Sequence, residues 1–363
     1  YDLIFNGGGT FSNAVVFDNT GTLNLGNASG DTFTFNGGVT ESTTGTVTLA
    51  ATINSSNDTI NFGAVTLGAN TTIDTNATNN TGIGTLLIGA VTGGNNTLTL
   101  STGDNFANSN MIASGNISGV TTLTLADIGG TAALAGDVDV TTLTVGNTVA
   151  NVQLTGTGSS VANAVSFAND GTLILGQNGG TQTYNGGLTT TSVGSTVTLN
   201  GTIATSNDAV VLGAVTLASA TTVDTNATSN AADITIAAIT GGSQNLTLST
   251  GNNIAGADIT ASGNISGVNT LTLADVGGTA TLSADVDVTT LTVGNTVANV
   301  AFTGNGSSVA NSFTPNNDGT FIFGASGGTQ TYNGGLNTAS VDGTVTLNGT
   351  IATSNDAIVL GAV

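Results

Sequence analysis

The chain has 363 residues, no lysine, arginine, histidine or cysteine, and 21 acidic residues, for a formal net charge of −21. With no cation to neutralise phosphates, nucleic acid and anionic membrane surfaces are excluded as direct partners. With no histidine or thiol, any general base or metal ligand must come from carboxylates, hydroxyls, amides or the three tyrosines, and no disulfide staples the fold.

Short runs of Val, Ile, Leu and Thr alternate with Gly, Asn, Asp and Ser, and there are 54 glycines against the single proline Pro315. These are strand formers set between turn formers, with little support for helix. No stretch approaches the roughly 18 apolar residues of a membrane span, so no membrane insertion is expected in this window.

The first strand-like phrases, "FSNAVVFDNTGTLNLG" at 11–26, return at 161–176 as "VANAVSFANDGTLILG". Next come "TLTL" at 122–125 and "DVDVTTLTVGNTVANV" at 137–152, the latter repeated letter for letter at 285–300. From Asn151 the sequence recurs at Asn299, a shift of 148, and roughly three-quarters of the 65 aligned pairs are identical. "TLIL" at 172–175 and "TVTL" at 196–199 are further strands of the same kind. The copies are 1–150, diverged, then 151–298 and a partial 299–363. Tyr1 enters in mid-motif and the closing "IVLGAV" matches 210–215, so the chain reads as a window of a longer one.

Short strands at this spacing suit a sandwich, a barrel or a solenoid. The copies have no linker between them. Exchanges such as Leu23/Leu25 to Leu173/Leu175 to Phe321/Phe323 change size without changing alternation. Few aromatics and many small branched residues suit a narrow stacked core. The expected fold is therefore all-β, a right-handed parallel β-helix, or β-solenoid, made of ~148-residue long repeats in one continuous rod. At about 20 residues and ~4.8 Å per coil, about 18 coils would give a rod on the order of 85 Å.

The phrases "LTLSTGDNFANSNMIASGNISGVTTLTLAD" (98–127) and "LTLSTGNNIAGADITASGNISGVNTLTLAD" (246–275) resemble the passenger repeats of filamentous-haemagglutinin-like and autotransporter-type giant bacterial surface exoproteins. The resemblance implies a secreted or outer-surface protein acting as a stalk, adhesin or filament, with no catalytic residues to carry over. It also implies continuation into a longer fibre or self-association, with host or surface glycans as further partners.

Calcium is the cofactor to weigh, since it takes six to eight oxygen ligands. Its candidates are Asp137 and Asp139 with their copies Asp285 and Asp287, and the "SND" turns at Asp58, Asp208 and Asp356. The opposing reading makes them solubilising turn carboxylates, and neither the β-roll nonapeptide nor the EF-hand loop is present. A carbohydrate-active β-helix enzyme is the rival from another class. It would need a unique pair of carboxylates, whereas these acids recur with the repeat. Asn116, Asn200, Asn264 and Asn348 satisfy the glycosylation rule but equally suit corners and amide ladders. The glycine-rich "GTGSS" (156–160) and "GNGSS" (304–308) read as turns. Tyr184 and Tyr332 share one column with Phe35, which reads as a partly buried core position rather than an exposed sugar platform. Pro315 stands where Phe167 and Phe17 do and is expected at a strand end or corner. In "DVDVTTLTVGNTVANV", Val138 and Val140 have one parity and Leu143 and Val145 the other. That places a bend at Thr141–Thr142, puts both aspartates in solvent and makes "GN" at 146–147 the next turn.

Overall fold

Strands of two to ten residues, ending at glycine, asparagine or aspartate turns, pair in parallel with strands one coil away. The computed structural model describes residues 1–75, 83–103, 106–251 and 254–363, and no helix occurs among them. The fold is a parallel β-solenoid of about 21 residues per turn. Its chain divides into two compact units, residues 1–175 with 192–195, and residues 176–191 with 196–363. The division falls inside the second sequence copy.

In the first unit each coil contributes to three ladders. The first stacks Leu3, Leu23, Val47, Val65, Val91, Ile117 and Val138 in register. The second runs through Phe33, Ile53, Ile73, Leu100, Leu125 and Val145. The third runs through Val39, Ile60, Leu86, Met111, Ala132, Val152 and Leu173. Almost all these side chains are buried, because alternation along each strand turns every second residue inward. Coil length is less regular than the sequence suggests, since registered residues are 18 apart from Val47 to Val65 and 26 apart from Val65 to Val91. Corners absorb the difference and the ladders do not.

The second unit has the same construction. Its ladders run through Gln182, Ile203, Val223, Leu248, Leu273 and Val293, through Leu188, Val210, Ile234, Ile259, Ala280, Val300, Phe321 and Val345, and through Val197, Val215, Ile239, Ile265 and Val286.

Strands Ile117–Ala126 and Val138–Val145 each serve two faces by bending. In the second, Val138, Val140, Leu143 and Val145 are all buried, so inward parity changes at Thr141–Thr142 as the sequence implies. Asn147 and Thr148 then form a turn. In the first, Gly119 is an extra residue at φ 67°, opposite no partner, which re-aims the strand at the bend. Glycine is required at a second place: Gly26, Gly176 and Gly324 end a strand at φ 82°, 81° and 72°. There a Cβ would lie 2.4, 2.0 and 2.2 Å from the carbonyl oxygens of Ala50, Asn200 and Asn348 in the next coil.

Sequence copies and coils are out of phase. Starting at Leu23, six registered steps lead through Val47, Val65, Val91, Ile117 and Val138 to the strand Ser160–Val161 on the same face. The chain then passes one more strand, Val165–Ser166, before reaching Leu173, which stands in the third ladder. Each copy thus spans six coils and two further faces, twenty strand positions in all. Tyr184 and Tyr332 show the same within the second unit. Tyr184 ends the strand stacked towards Thr290–Val293, whereas Tyr332 stacks on Val309 and Val288, in the other half of strand Val286–Val293. The two tyrosines share a sequence column and burial but stand on different faces.

Exchanges between copies preserve chemistry in pairs. Phe33 and Phe35 become Gln182 and Tyr184, then Gln330 and Tyr332, all buried. The Tyr184 hydroxyl donates to Gln182 Oε1 at 2.9 Å and that of Tyr332 to Gln330 Oε1 at 3.0 Å. The Gln330 amide donates to the carbonyls of Phe302 and Gly304. Burial pushes both phenols far above the ordinary tyrosine range. Phe313 stands where Val165 does, and Pro315 is buried just beyond it, outside any strand, so one ring has moved two residues along the chain. Phe313 joins Phe302, Phe321, Phe323 and Tyr332 in an aromatic cluster with centroids 4.0–6.4 Å apart.

One exchange leaves a bond unmade. Asn19, Asn169 and Asn317 each donate from Nδ2 to main-chain carbonyls at a corner. In the first copy Thr43 Oγ1 donates to Asn19 Oδ1 at 3.1 Å. The later copies carry Val193 and Val341 at that position, and the buried Oδ1 atoms of Asn169 and Asn317 have no partner.

Val341→Thr should therefore raise stability by about 1 kcal/mol in denaturant titrations, by supplying the missing donor. Gln330→Phe alone should strand the Tyr332 hydroxyl and cost more than the double variant Gln330→Phe/Tyr332→Phe. A double-mutant cycle would show the coupling at about 1–2 kcal/mol.

Candidate functional site

The four aspartates singled out in the sequence sit at the start of bent strands. Asp139 is exposed, whereas Asp137 is half-buried and engaged. Asp137 Oδ1 accepts the Gly158 N–H at 2.7 Å, and its own N–H donates to Asn116 Oδ1 at 2.9 Å. Asp285 repeats this, accepting from Gly306 N–H at 2.7 Å and donating to Asn264 Oδ1 at 3.3 Å. The expectation that both residues of the pair face open solvent thus holds for Asp139 and is corrected for Asp137. Its carboxylate ties one coil to the next because the Gly158 turn passes over it.

The same contact recurs at several Asn and Asp residues at or just before the start of a strand. Asn110 Oδ1 accepts from Thr131 N–H at 2.8 Å, Asn151 Oδ1 from Thr172 N–H at 2.9 Å, Asp233 Oδ1 from Asp258 N–H at 2.9 Å and Asn299 Oδ1 from Thr320 N–H at 3.0 Å. Asn110 and Asp258 are copies of one position, and Asp258 Oδ1 accepts from Thr279 N–H at 2.6 Å. An amide oxygen and a carboxylate oxygen do the same work there, so the position requires an acceptor and not a charge. These latches include Asn116 and Asn264, two of the glycosylation candidates, whose side-chain oxygens are committed to the corner. Asn200 lies within strand Val197–Ala204, and Asn348 is exposed beside the turn glycine Gly349.

At the "SND" turns Asn57, Asn207 and Asn355 all take φ 67°. The hydroxyls of Ser55, Thr205 and Thr353 donate to the carbonyls of Asp58, Asp208 and Asp356. In the "GTGSS" and "GNGSS" turns, Ser159 Oγ and Ser307 Oγ accept from Val138 N–H and Val286 N–H at 3.0 Å, which confirms a corner role. Among the described residues no three His, Cys, Asp or Glu side chains gather as a metal-binding group.

The pairs do influence each other electrostatically. Partial burial pushes the carboxyl of Asp139 above its ordinary range, the Ser160 N–H opposes the shift and the charge of Asp137 adds to it. Asp287 is raised in the same direction, first by burial and then by Asp285, against the Ser308 N–H. In the second unit Asp287 lines a shallow cavity of about 260 Å³ with Ser243, Asn269, Thr289 and Ser308. The Asn269 amide donates to Asn245 Oδ1 at 2.9 Å on the same bend. The lining mixes hydroxyl, amide and one carboxylate with the apolar Val268 and Val288, and its charge would repel an anion.

Two features escaped the sequence reading. One is a pair of buried hydroxyl relays running along the stack. Ser55 Oγ donates to the Thr75 carbonyl at 3.0 Å, Thr75 Oγ1 to that of Thr102 at 3.2 Å and Thr102 Oγ1 to that of Asp127 at 3.1 Å. Thr205, Thr225 and Thr250 do likewise, ending on the Asp275 carbonyl. The available signal was a threonine just past a strand, as in "IDTN" at 73–76 and "VDTN" at 223–226. The other is Glu41, the only glutamate, which is buried in register with Phe17. Its Oε2 accepts from Gly63 N–H at 2.9 Å, the role that Thr190 and Thr338 hydroxyls fill for Gly213 and Gly361. Its Oε1 has no partner.

The outer faces carry ranks of threonine. In the first unit Thr32, Thr52, Thr72, Thr99, Thr124 and Thr144 stand in register, and in the second Thr181, Thr202, Thr222, Thr247, Thr272 and Thr292 do.

Asp137→Asn should leave the melting temperature nearly unchanged, whereas Asp137→Ala should lose about 0.5–1 kcal/mol, because the exposed Gly158 N–H exchanges its carboxylate acceptor for water. Because the folded state holds the Asp139 and Asp287 protons more tightly than the unfolded chain, their contribution is lost as pH rises from the ordinary carboxylate range through the raised values. Melting curves should therefore show the parent gaining stability on acidification through that window relative to Asp139→Asn/Asp287→Asn.

The chain matches no protein-family model, no curated protein and no solved structure. The likeness to haemagglutinin-type passengers rests on the β-solenoid and on the two phrases that suggested it, of which residues 104–105 and 252–253 lie outside the described part.

Proposed function

We propose that the chain is a structural and adhesive segment of a long bacterial cell-surface or extracellular fibre, working as stalk, adhesin or filament. The observation that carries this reading is the dedication of side chains to stacking. Inward residues fill ladders, the Asn and Asp latches and hydroxyl relays join successive coils, and the outer faces present neutral threonines. Such a stack lengthens by adding coils and needs no separate domain at each step. The high negative charge, with no cation to pair it, favours solubility and discourages non-specific attachment to anionic surfaces. Loss of every Lys and Arg also removes all trypsin cleavage sites from this stretch, which suits exposure outside the cell.

Electron microscopy of the native material carrying this chain tests the reading. Unbranched fibres of uniform width are the expected result, and discrete globular particles would overturn it. Calcium dependence is a separate question with its own measurement. If the aspartates act as corner acceptors, millimolar calcium should shift the melting temperature by less than a few degrees, and a larger rise would restore a calcium-dependent adhesion repeat.

A further inference from the structure

We infer that a chain built by repeating this unit is a three-fold screw, in which each copy carries the same outer residues on a different face from the copy before. The inference deepens the fibre reading and rests on it for its biological consequence, but its geometry comes from each unit separately. In the first unit Leu23 and its copy Leu173 are both fully buried and stand in different ladders, six coils and two faces apart. In the second unit Tyr184 and Tyr332 are displaced in the same sense. Twenty strand positions on three faces leave a remainder of two, so equivalent residues return to the same face only every third copy. With ~4.8 Å per coil, one copy advances about 32 Å along the stack, and the three-copy period is about 96 Å.

The displacement applies to every outward residue. Within the first unit the outward Asn24 stands in the ladder line of Leu23 and its copy Ile174 in that of Leu173, and within the second Thr198 stands in the line of Val197 and its copy Thr346 in that of Val345. The outer chemistry of one copy is therefore presented in three directions as the chain lengthens.

The absence of cysteine permits a direct test. Asn24 and Ile174 are outward copies of one position in the first unit, while Ser160 lies in the register line of Asn24, six coils on. Cysteines introduced in pairs at Asn24/Ser160 and Asn24/Ile174 would be biotinylated, tagged with monovalent streptavidin and imaged in negative stain. The first pair should place both tags on one side and the second should place them on different sides. In the second unit the corresponding pairs are Thr198/Ser308 and Thr198/Thr346, where the first shares a line and the second does not. Far-ultraviolet circular dichroism selects the variants that keep their strand content, and either unit suffices for the decision. Copies tagged on the same side would overturn the screw. The readout does not depend on fibre formation, so globular native particles would remove the fibre reading and leave the tag directions to be judged alone.

Discussion

Main-chain hydrogen bonds between coils are the constraint from which the rest follows. Each strand bonds to the strands one coil before and one coil after it, so side chains in register lie on top of one another. Inward positions must then be compatible with their neighbours above and below as well as with the opposing faces. Leucine, isoleucine and valine satisfy this in mixed order, as in the ladder Leu3, Leu23, Val47, Val65, Val91, Ile117 and Val138. Aromatic rings need more room and cluster, with Phe5, Phe11, Phe17, Phe33 and Phe35 packed together in the first unit at centroid distances of 4.9–6.4 Å.

Corners face the opposite demand, because the chain must turn while its amides still find partners. Asn and Asp side chains solve it by accepting the N–H of the following coil, and buried Ser and Thr hydroxyls solve it by donating to carbonyls. The acids are consequently explained by the architecture as much as by solubility. A position that accepts either Asn110 or Asp258 is not selecting for charge. Glu41 is the exception: it takes a hydroxyl's place in the wall and leaves one oxygen without a partner.

What could be read in advance was whatever alternation and repetition encode. The inward leucines at 23, 25, 173 and 175, the bend after Val140 and the corner at Pro315 all follow from parity or from proline chemistry. The phase between copies and coils could not be read, because corners vary in length. The spacing from Val47 to Val65 differs by eight residues from that between Val65 and Val91, and no residue count reveals where a coil closes. For the same reason Tyr184 and Tyr332, aligned in sequence, give no hint that they stand on different faces. The hydroxyl relays were hidden because buried and exposed threonines look alike unless the strand end is already known.

A copy that comprises whole strands but not whole coils also constrains how such a gene can grow. Leu23, Leu173 and Phe321 are equivalent in sequence and all fully enclosed, although Leu173 stands on another face from Leu23. A duplicated block can therefore rejoin the wall a third of a turn out of step and still bury its leucines. What a copy must keep is its alternation and not a whole number of coils, so the length of the repeated block is free of the length of the coil.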